Sequence, residues 1–525
     1  VFRIEEEKRS KVKKVNFVGN TVFRDRKLRK EVATKHRWWS WLLSVGFFNR
    51  ETLEADRTIL RDLYSDQGYL EFRVVDVETS YTDDRDWVTV TYYLEEGPVY
   101  TVESVAITGN EAFDGEEIRA LIELEKGAVY RKNVERQDMK RLRAKYENLG
   151  YLDLRIRAVH DLDSEAETVT VEYRMDEGEA ADVRDIYITG NRVTKDHVIR
   201  REMALHPGDV ADRSKIDASR ARLMNLNYFE TVDISPLATQ YDTKKDLQVS
   251  VKEKKTGQLM VGAGFSSEDA LLGFFEVTQS NFDWQNWPTF TGGGQRLRLR
   301  AQLGTERNDF LVSFTEPWWL GRRLRLDLDA YSHLRDEDEY DRETIGASAS
   351  VTRQWRKFWC PSIGVRLQQI ELTDFDDGIS NELLAEEGAY NTNAVLLRLA
   401  RDTRNRFINP SQGSRFTVTA DLQSEGIVSY SNVIHLGMQG TKYLPLFNES
   451  VLKLAGEVAV VDEVSGDPVA IFDRYFAGGA YSVRGFERRE ISPVDQNEDA
   501  LGGKSMLTGT IEYIYPVLRR VRLSV

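Results

Sequence analysis

From about residue 258 onward the chain alternates between apolar and polar residues. In "RLRLRAQL" (296–303), Leu297, Leu299, Ala301 and Leu303 fall on one side of an extended strand, and Arg296, Arg298, Arg300 and Gln302 on the other. "RLRLDLDAY" (323–331), "RFTVTADLQ" (415–423) and "LKLAGEVAV" (452–460) do the same, and "IGASASV" (345–351) does it with small residues. Successive side chains of a strand point to opposite faces, so each segment has one apolar and one polar face. Two architectures accommodate such a run. A soluble sandwich turns its apolar faces inward. A membrane barrel turns them to lipid and its polar faces to a wet lumen.

Three features favour the barrel. Several segments reach the roughly 9–11 residues that a tilted spanning strand needs. Six of the ten tryptophans (Trp284, Trp287, Trp318, Trp319, Trp355 and Trp359) stand near strand ends, as in an interfacial girdle. Compact turns such as "EPWWLGRR" (316–323) alternate with long acidic loops, "HLRDEDEYDRE" (333–343) and "DFDDGISNELLAEEGAY" (374–390), as short and long connections do in membrane barrels. The pattern predicts twelve strands and the start of a thirteenth at "RVRLSV" (520–525). Single-chain bacterial barrels usually close with an even number, so a C-terminally incomplete barrel is expected over 257–525.

The first half repeats. "VKKVNFVGNTVF" (12–23), "VESVAITGNEAF" (102–113) and "VRDIYITGNRVT" (183–194) each read as a strand that breaks at Gly-Asn before a helix. Farther on, "RTILRDLYSDQGYLEFRV" (57–74), "MKRLRAKYENLGYLDLRI" (139–156) and "SRARLMNLNYFETVDI" (219–234) run helical and then enter a strand. Leu142, Tyr146 and Leu149 form one apolar stripe, and Gly68, Gly150 and Asn227 occupy the helix C-cap slot. Each unit closes on a strand: "VTVTYYLEEGP" (88–98), "VTVEYRMDEGE" (169–179) and "LQVSVKEKKTG" (247–257). The expected organisation is three β-α-α-β-β domains of α+β type, at 1–98, 99–179 and 180–256, followed by the barrel. The edges of such small sheets are templates for an extended partner.

A net charge of −14 argues against nucleic acid as a main partner. One cysteine, Cys360, rules out an intramolecular disulfide. The six histidines show no zinc spacing, no phosphate-loop or dinucleotide pattern occurs, and "GASAS" (346–350) lies within a strand rather than at a nucleophile elbow. No enzyme, metal site or cofactor is expected. The acidic run Asp336–Glu339 reads as a solvated loop.

Three β-α-α-β-β repeats feeding a barrel resemble the POTRA-barrel superfamily of outer-membrane assembly and secretion proteins, over essentially the whole chain. "VRGF" (483–486) matches the superfamily's motif in the long sixth outer loop, and "TEPWW" (315–319) and "RDTRNRFINPSQGSRF" (401–416) look like its characteristic turns. "RWWSWL" (37–42), "DHVIRREM" (196–203) and "NYFETVDI" (227–234) look most like the last three POTRA domains of the central subunit of the β-barrel assembly machine. The resemblance implies a barrel of sixteen strands in full, of which about twelve to thirteen are present. It implies folding and insertion of client outer-membrane proteins in the bacterial outer membrane, without ATP or covalent chemistry, with the POTRA domains in the periplasm. Implied partners are unfolded clients, periplasmic chaperones, accessory outer-membrane lipoproteins, and outer-membrane lipids and lipopolysaccharide. The first strand, with Leu259, Met260, Val261, Gly262, Ala263, Gly264 and Phe265, would form a lateral seam with the last. Its glycines suit a weak seam on physical grounds too. Arg200, Arg201 and Glu202 resemble the lipoprotein-docking region. A three-POTRA translocation and assembly subunit and a two-partner secretion pore are the alternatives within the superfamily.

Strand parity bears on the loop motif. In "TGTIEYIYP" (508–516), Ile511, Tyr513 and Tyr515 share the lipid side, so Glu512 faces the lumen. A loop folded into the barrel is expected to pair Arg484 with Glu512, with Gly485 permitting close approach and Phe486 packing on the inner wall.

Overall fold

A computed structural model describes residues 10–35, 47–266, 270–479, 482–518 and 521–524. The "RWWSWL" stretch lies outside them. The chain divides into two compact units. One comprises Val1–Thr189, Glu202–Asn225 and Val232–Ser250, and the other Gly190–Arg201, Leu226–Thr231 and Val251–Val525.

The repeats share one plan. The first has β1 (Lys11–Val18), α1 (Asp25–Glu31), α2 (Arg50–Ser65), β2 (Arg73–Tyr81) and β3 (Trp87–Glu95). The second has β4 (Thr101–Thr108), α3 (Gly115–Arg119), α4 (Lys132–Glu147), β5 (Arg155–Asp163) and β6 (Thr168–Asp176). The third has β7 (Asp182–Thr189), α5 (Asp196–Arg200), α6 (Arg213–Asn225), β8 (Phe229–Ala238) and β9 (Lys244–Glu253). The last strand is central in every sheet, in the orders β1-β3-β2, β4-β6-β5 and β7-β9-β8, with the first strand parallel to it.

The Gly-Asn signature has a steric cause. Gly19, Gly109 and Gly190 all have positive φ, near 93°, 79° and 89°. A Cβ on any of them would lie 2.0–2.2 Å from a carbonyl oxygen of the central strand, at Leu94, Met175 or Val251. Only glycine fits that approach. The asparagine amide then donates to the carbonyl three residues on, at Phe23, Phe113 or Thr194. A glutamate at the end of the central strand, or just past it, accepts backbone N–H groups of the same turn. Glu96 takes Thr21 and Val22, Glu177 takes Ala112, and Glu253 takes Arg192, Val193 and Thr194.

A second pin lies in each helical layer. Asp56 and Asp138, both fully buried, sit at the seventh position of α2 and α4. Asp56 accepts from Thr34 N at 3.2 Å and Tyr92 Oη at 2.7 Å. Asp138 accepts from Glu123 N at 2.9 Å, Leu124 N at 3.2 Å and Tyr173 Oη at 3.2 Å. In the third repeat the tyrosine position is Val249 and the carboxylate position is Ser219. Ser219 Oγ accepts from Ala204 N at 2.8 Å and donates to the Lys215 carbonyl. Both polar partners change together, so no tyrosine hydroxyl is left unpaired there. Asn227, Gly68 and Gly150 adopt positive φ as C-caps, but Leu149 is exposed. The buried stripe of α4 ends at Tyr146, because the chain leaves the helix at Asn148.

The joint between repeats reuses the cap. The Gly68 carbonyl accepts from Tyr100 N at 2.9 Å, and that of Gly150 from Ala181 N at 3.1 Å. Asp62 adds ion pairs to Lys132 at 2.7 Å and Arg136 at 3.1 Å, and Lys245 reaches Asp153 at 2.6 Å.

The second unit holds one 14-stranded sheet. Its strands are β10 (Gly257–Ser266), β11 (Ala270–Phe282), β12 (Gln295–Gly304), β13 (Arg307–Glu316), β14 (Leu324–Asp336), β15 (Asp341–Arg353), β16 (Trp359–Thr373), β17 (Gly388–Asn391), β18 (Ala394–Asp402), β19 (Gly413–Gln423), β20 (Asn432–Pro445), β21 (Val451–Ser465), β22 (Ser505–Leu518) and β23 (Val521–Ser524). Thirteen follow one another in sequence order, and β17 pairs only with β16. The path agrees with twelve strands and the start of a thirteenth. The short β17, inside the acidic loop 374–390, has no alternation to announce it. Among the described residues the sheet is open, with β10 and β23 at its ends. Its faces decide between sandwich and barrel. Ile363, Leu367, Leu507 and Ile511 are exposed, whereas Glu276, Gln302, Asp309 and Glu512 on the other face are buried. Apolar outside and polar inside is the membrane-barrel arrangement.

Replacing Asp138 by Ala strands two buried N–H groups and a hydroxyl. Hydrogen exchange at Glu123 and Leu124 should show their opening free energy fall by about 3 kcal/mol, against about 1 for Ser219→Ala at Ala204. Burial opposes ionisation of Glu253, but the bonds from Thr194 and the backbone N–H groups outweigh it and hold its carboxyl below the usual range. Its stabilisation is therefore present above the unfolded value of about 4.3 and lost as pH falls through the lowered folded value. Faster exchange at Val193 and Thr194 in acid, relative to Glu253→Gln, checks this.

Candidate functional site

Strand β10 pairs along all ten residues with β11, from Gly257↔Gln279 to Ser266↔Ala270. Leu259, Val261 and Phe265 point outward and are exposed, Phe265 to 81%. Ala263 shares their face, while Met260, Gly262 and Gly264 face the lumen opposite Glu276, Phe274 and Leu272. The Phe274 ring lies across Gly262, where a Cβ would come within 2.5 Å of it. The glycine thus makes room for a ring from the next strand, and it contributes no side chain of its own to the ladder.

The long connection 466–504 between β21 and β22 carries the "VRGF" motif. Gly478 and Gly479 have φ near 109° and 85°. Gly479 N donates to the Phe486 carbonyl at 3.0 Å, and Gly478 N to Ser482 Oγ at 2.9 Å. The four motif residues therefore form the tip of a closed turn. Val483 is half-buried and Arg484 exposed. Nothing approaches a Cβ on Gly485, and Phe486 is 48% exposed rather than packed on the wall. The structure does not bring Arg484 to Glu512. Lys453 stands directly opposite Glu512 in the ladder and donates to it at 2.8 Å. Parity placed Glu512 in the lumen, but the register supplied its cation.

The loop is held instead by the residues just after the motif. Arg489 is 6% exposed. Its guanidinium lies 2.5 Å from Glu339, 3.7 Å from Glu337 and 4.1 Å from the Phe476 ring centre. Arg488 Nη2 donates to Glu337 at 2.7 Å, and Ala500 N to Glu339 at 3.2 Å. The acidic run expected to be solvated is thus half wrong: Glu337 and Glu339 are buried, because two guanidinium groups arrive from a loop 150 residues away. Burial pushes the Glu339 carboxyl up despite Arg489. A second tie joins the same loop to the connection after β16, with Arg474 at 3.1 Å and Ile471 N at 2.6 Å from Glu386. Tyr340, Ile370, Leu372, Leu383, Ile471 and Phe472 form an apolar core beneath these ties. Sequence reasoning missed Arg488 and Arg489. The available signal was a paired "RR" in one loop facing "DEDE" in another.

At the other end of the barrel, α5 seats against the turn 283–294. Lys195 N donates to the Gly292 carbonyl at 3.0 Å, its Nζ pairs with Asp283 at 2.6 Å, and Tyr228 Oη donates to the Gly294 carbonyl at 3.2 Å. A Cβ on Gly292 would lie 2.2 Å from the Val193 carbonyl oxygen, and one on Gly294 2.3 Å from Arg201. Of the expected docking residues, Arg200 is exposed and pairs with Asp196 at 3.0 Å. Arg201 is tucked in, 5.7 Å over the Trp318 ring and 3.9 Å from Glu316, and Glu202 is half-buried. Burial, then Arg201 and Lys195, hold the His197 imidazole below its usual value, so it is neutral near pH 7.

Residues 10–97, 100–178 and 181–254 match the POTRA repeat, described as "surface antigen variable number repeat", and residues 289–525 match the Omp85 superfamily domain. The chain thus carries POTRA repeats followed by an Omp85 superfamily domain. Among Omp85 relatives, it is 27% identical to the outer membrane protein assembly factor BamA of Nitratidesulfovibrio vulgaris, over 98% of this chain and 65% of that protein. It is also 27% identical to BamA of Neisseria meningitidis serogroup B, over 99% of this chain and 68% of that protein. The chain thus spans about two thirds of these relatives' length. The fold resembles the crystal structure of Haemophilus ducreyi BamA lacking POTRA domains 1–3, with a TM-score of 0.66, 23% identity, and coverage of 81% of this chain and 86% of that one.

Arg489→Ala leaves the buried Glu339 carboxylate without its cation, a loss of about 3–5 kcal/mol. Limited proteolysis within 466–504 should accelerate sharply in that variant and only slightly in Arg484→Ala. Equal rates would mean that the motif tip, not Arg489, holds the loop.

Proposed function

We propose that the protein is an outer-membrane β-barrel assembly factor that folds and inserts client barrels. It resides in the bacterial outer membrane with its POTRA repeats in the periplasm, and acts without ATP, cofactor or covalent chemistry. The carrying observation is the pairing, in one chain, of three edge-bearing small sheets with a barrel whose first strand is thinned by glycine. A backbone group left unpaired in hydrocarbon costs several kcal/mol, so insertion is slow wherever a strand must enter alone. A partner that offers an edge supplies the missing hydrogen bonds and lowers that barrier. In this reading, β2, β5 and β8 receive extended clients from periplasmic chaperones. Leu259 to Phe265 then template the client's terminal strand, and the barrel bears on nearby lipid and lipopolysaccharide. Arg200 and Glu202 contribute to a face for accessory lipoproteins, while Arg201 holds α5 against the barrel turns. The Val483–Phe486 tip is free to meet the lumen or a client, because Arg488 and Arg489 carry the anchoring.

Depletion should lower the assembled amounts of unrelated outer-membrane barrels together. In a Cys360→Ser background, a cysteine at Leu259 or Val261 should cross-link to an arrested client, and one at Ile363 should not. Normal client assembly after depletion would overturn the reading.

A further inference from the structure

The outward face of the barrel carries a cluster that assembly does not use. At the end of the sheet where β10 begins, the turn 354–358 joins β15 to β16, and 403–412 joins β18 to β19. Strands β16 and β18 are paired, so these turns are neighbours. Four cations gather here: Arg353 at the end of β15, Arg356 and Lys357 in the turn, and Arg401 near the end of β18. Arg353 continues the outward row of Ala349 and Val351, and Arg401 that of Leu397 and Leu399.

Their surroundings differ from those of several lumenal arginines. Arg298, Arg307 and Arg366 each have a carboxylate within 2.5–3.0 Å. Among the described residues, none of the four outward cations has one within ion-pair distance. Three of them lie on aromatic faces instead. Arg356 is 4.9 Å from the Trp355 ring centre, Lys357 is 5.2 Å from Phe358, and Arg401 is 5.8 Å from Trp359. Trp355 and Trp359 are themselves bridged through Trp355 N, which donates to the Trp359 carbonyl at 2.7 Å. The rings carry the charged heads of these three, and Arg353, Arg356 and Lys357 are exposed while Arg401 is half-buried. Directly along the wall, Ile363, Val365, Leu397 and Leu399 are exposed.

We propose that this cluster is a headgroup site for an anionic phospholipid in the periplasm-facing leaflet. Exposed aliphatic side chains beside it take the acyl chains. The guanidinium forks match a phosphodiester. A zwitterionic headgroup balances its own phosphate, so four uncompensated cations select a headgroup of net negative charge. At the opposite ends of the same strands, the connections 337–340 and 374–393 contain acidic residues and no lysine or arginine.

The test uses the full chain in micelles holding equal phosphatidylglycerol and phosphatidylcholine, with retained lipids counted by native mass spectrometry. The unsubstituted protein should retain phosphatidylglycerol at least about fivefold over phosphatidylcholine, the effect of one cation near an anionic surface. Joint replacement Arg353→Gln, Arg356→Gln, Lys357→Gln and Arg401→Gln should bring the ratio near one, while Arg401→Lys alone keeps it. If the fourfold variant fails to fold, Arg356→Gln with Lys357→Gln, both outside the spanning ladder, should still lower the ratio. An unchanged ratio in either variant overturns the proposal. So does loss of the preference in excess inorganic phosphate, which would mark a site for free anions. Client assembly is not the readout, so the outcome is independent of the assembly reading.

Discussion

Hydrocarbon offers no hydrogen bonds, and everything in the barrel domain follows from that constraint. Each strand from β11 to β22, the short β17 apart, meets it by pairing on both sides. The cost of an unpaired edge makes the ladder rigid in its middle and gives its first strand mechanistic weight. Strand β10 reads as a strand by its full register with β11. Gly257, Gly262 and Gly264 nonetheless leave it little side-chain contact across the ladder. A strand held mainly by backbone hydrogen bonds can exchange one partner for another of any sequence, which is what the proposed template for clients requires.

The same constraint explains where charge is buried. The lumen is wet enough for polar side chains and tight enough for their pairing to matter. Some lumenal ions settle with a partner on the adjacent strand, as Lys453 does with Glu512 and Arg298 with Glu276, and others within their own strand, as Arg307 does with Asp309. Arg488 and Arg489 do something different, because they bring charge from a long loop to a hairpin on the opposite wall. A buried pair of this kind adds little net stability over an apolar contact, but losing one member is costly. It therefore fixes the position of the loop more than it stabilises the fold.

Much of this was legible in the residues. Alternation gave the strands and their faces, and the parity that put Glu512 inside also held for Ile511 and Leu507 outside. The Gly-Asn turns marked all three repeats, because a φ near 90° against a carbonyl admits no other residue. The partner of Arg484 was not legible. Parity says which face a residue occupies and nothing about height along the barrel, and Lys453 already stood at the height of Glu512. The burial of Glu337 and Glu339 was hidden for a related reason: four acidic residues in a row look solvated until their cations arrive from far along the chain.

The sequence by itself determined the local units: strand faces, turn glycines, caps, and the repeated domain plan. These depend on neighbours within a few residues, where backbone sterics and period decide. The tertiary structure decided the pairings between distant segments. It chose Lys453 over Arg484 for Glu512, sent Arg489 to Glu339, seated Arg201 against Trp318, and left Arg353, Arg356, Lys357 and Arg401 without a carboxylate partner among the described residues. Register and loop path fix those distances, and charge–charge attraction acts only on groups that the fold has already brought within a few ångströms.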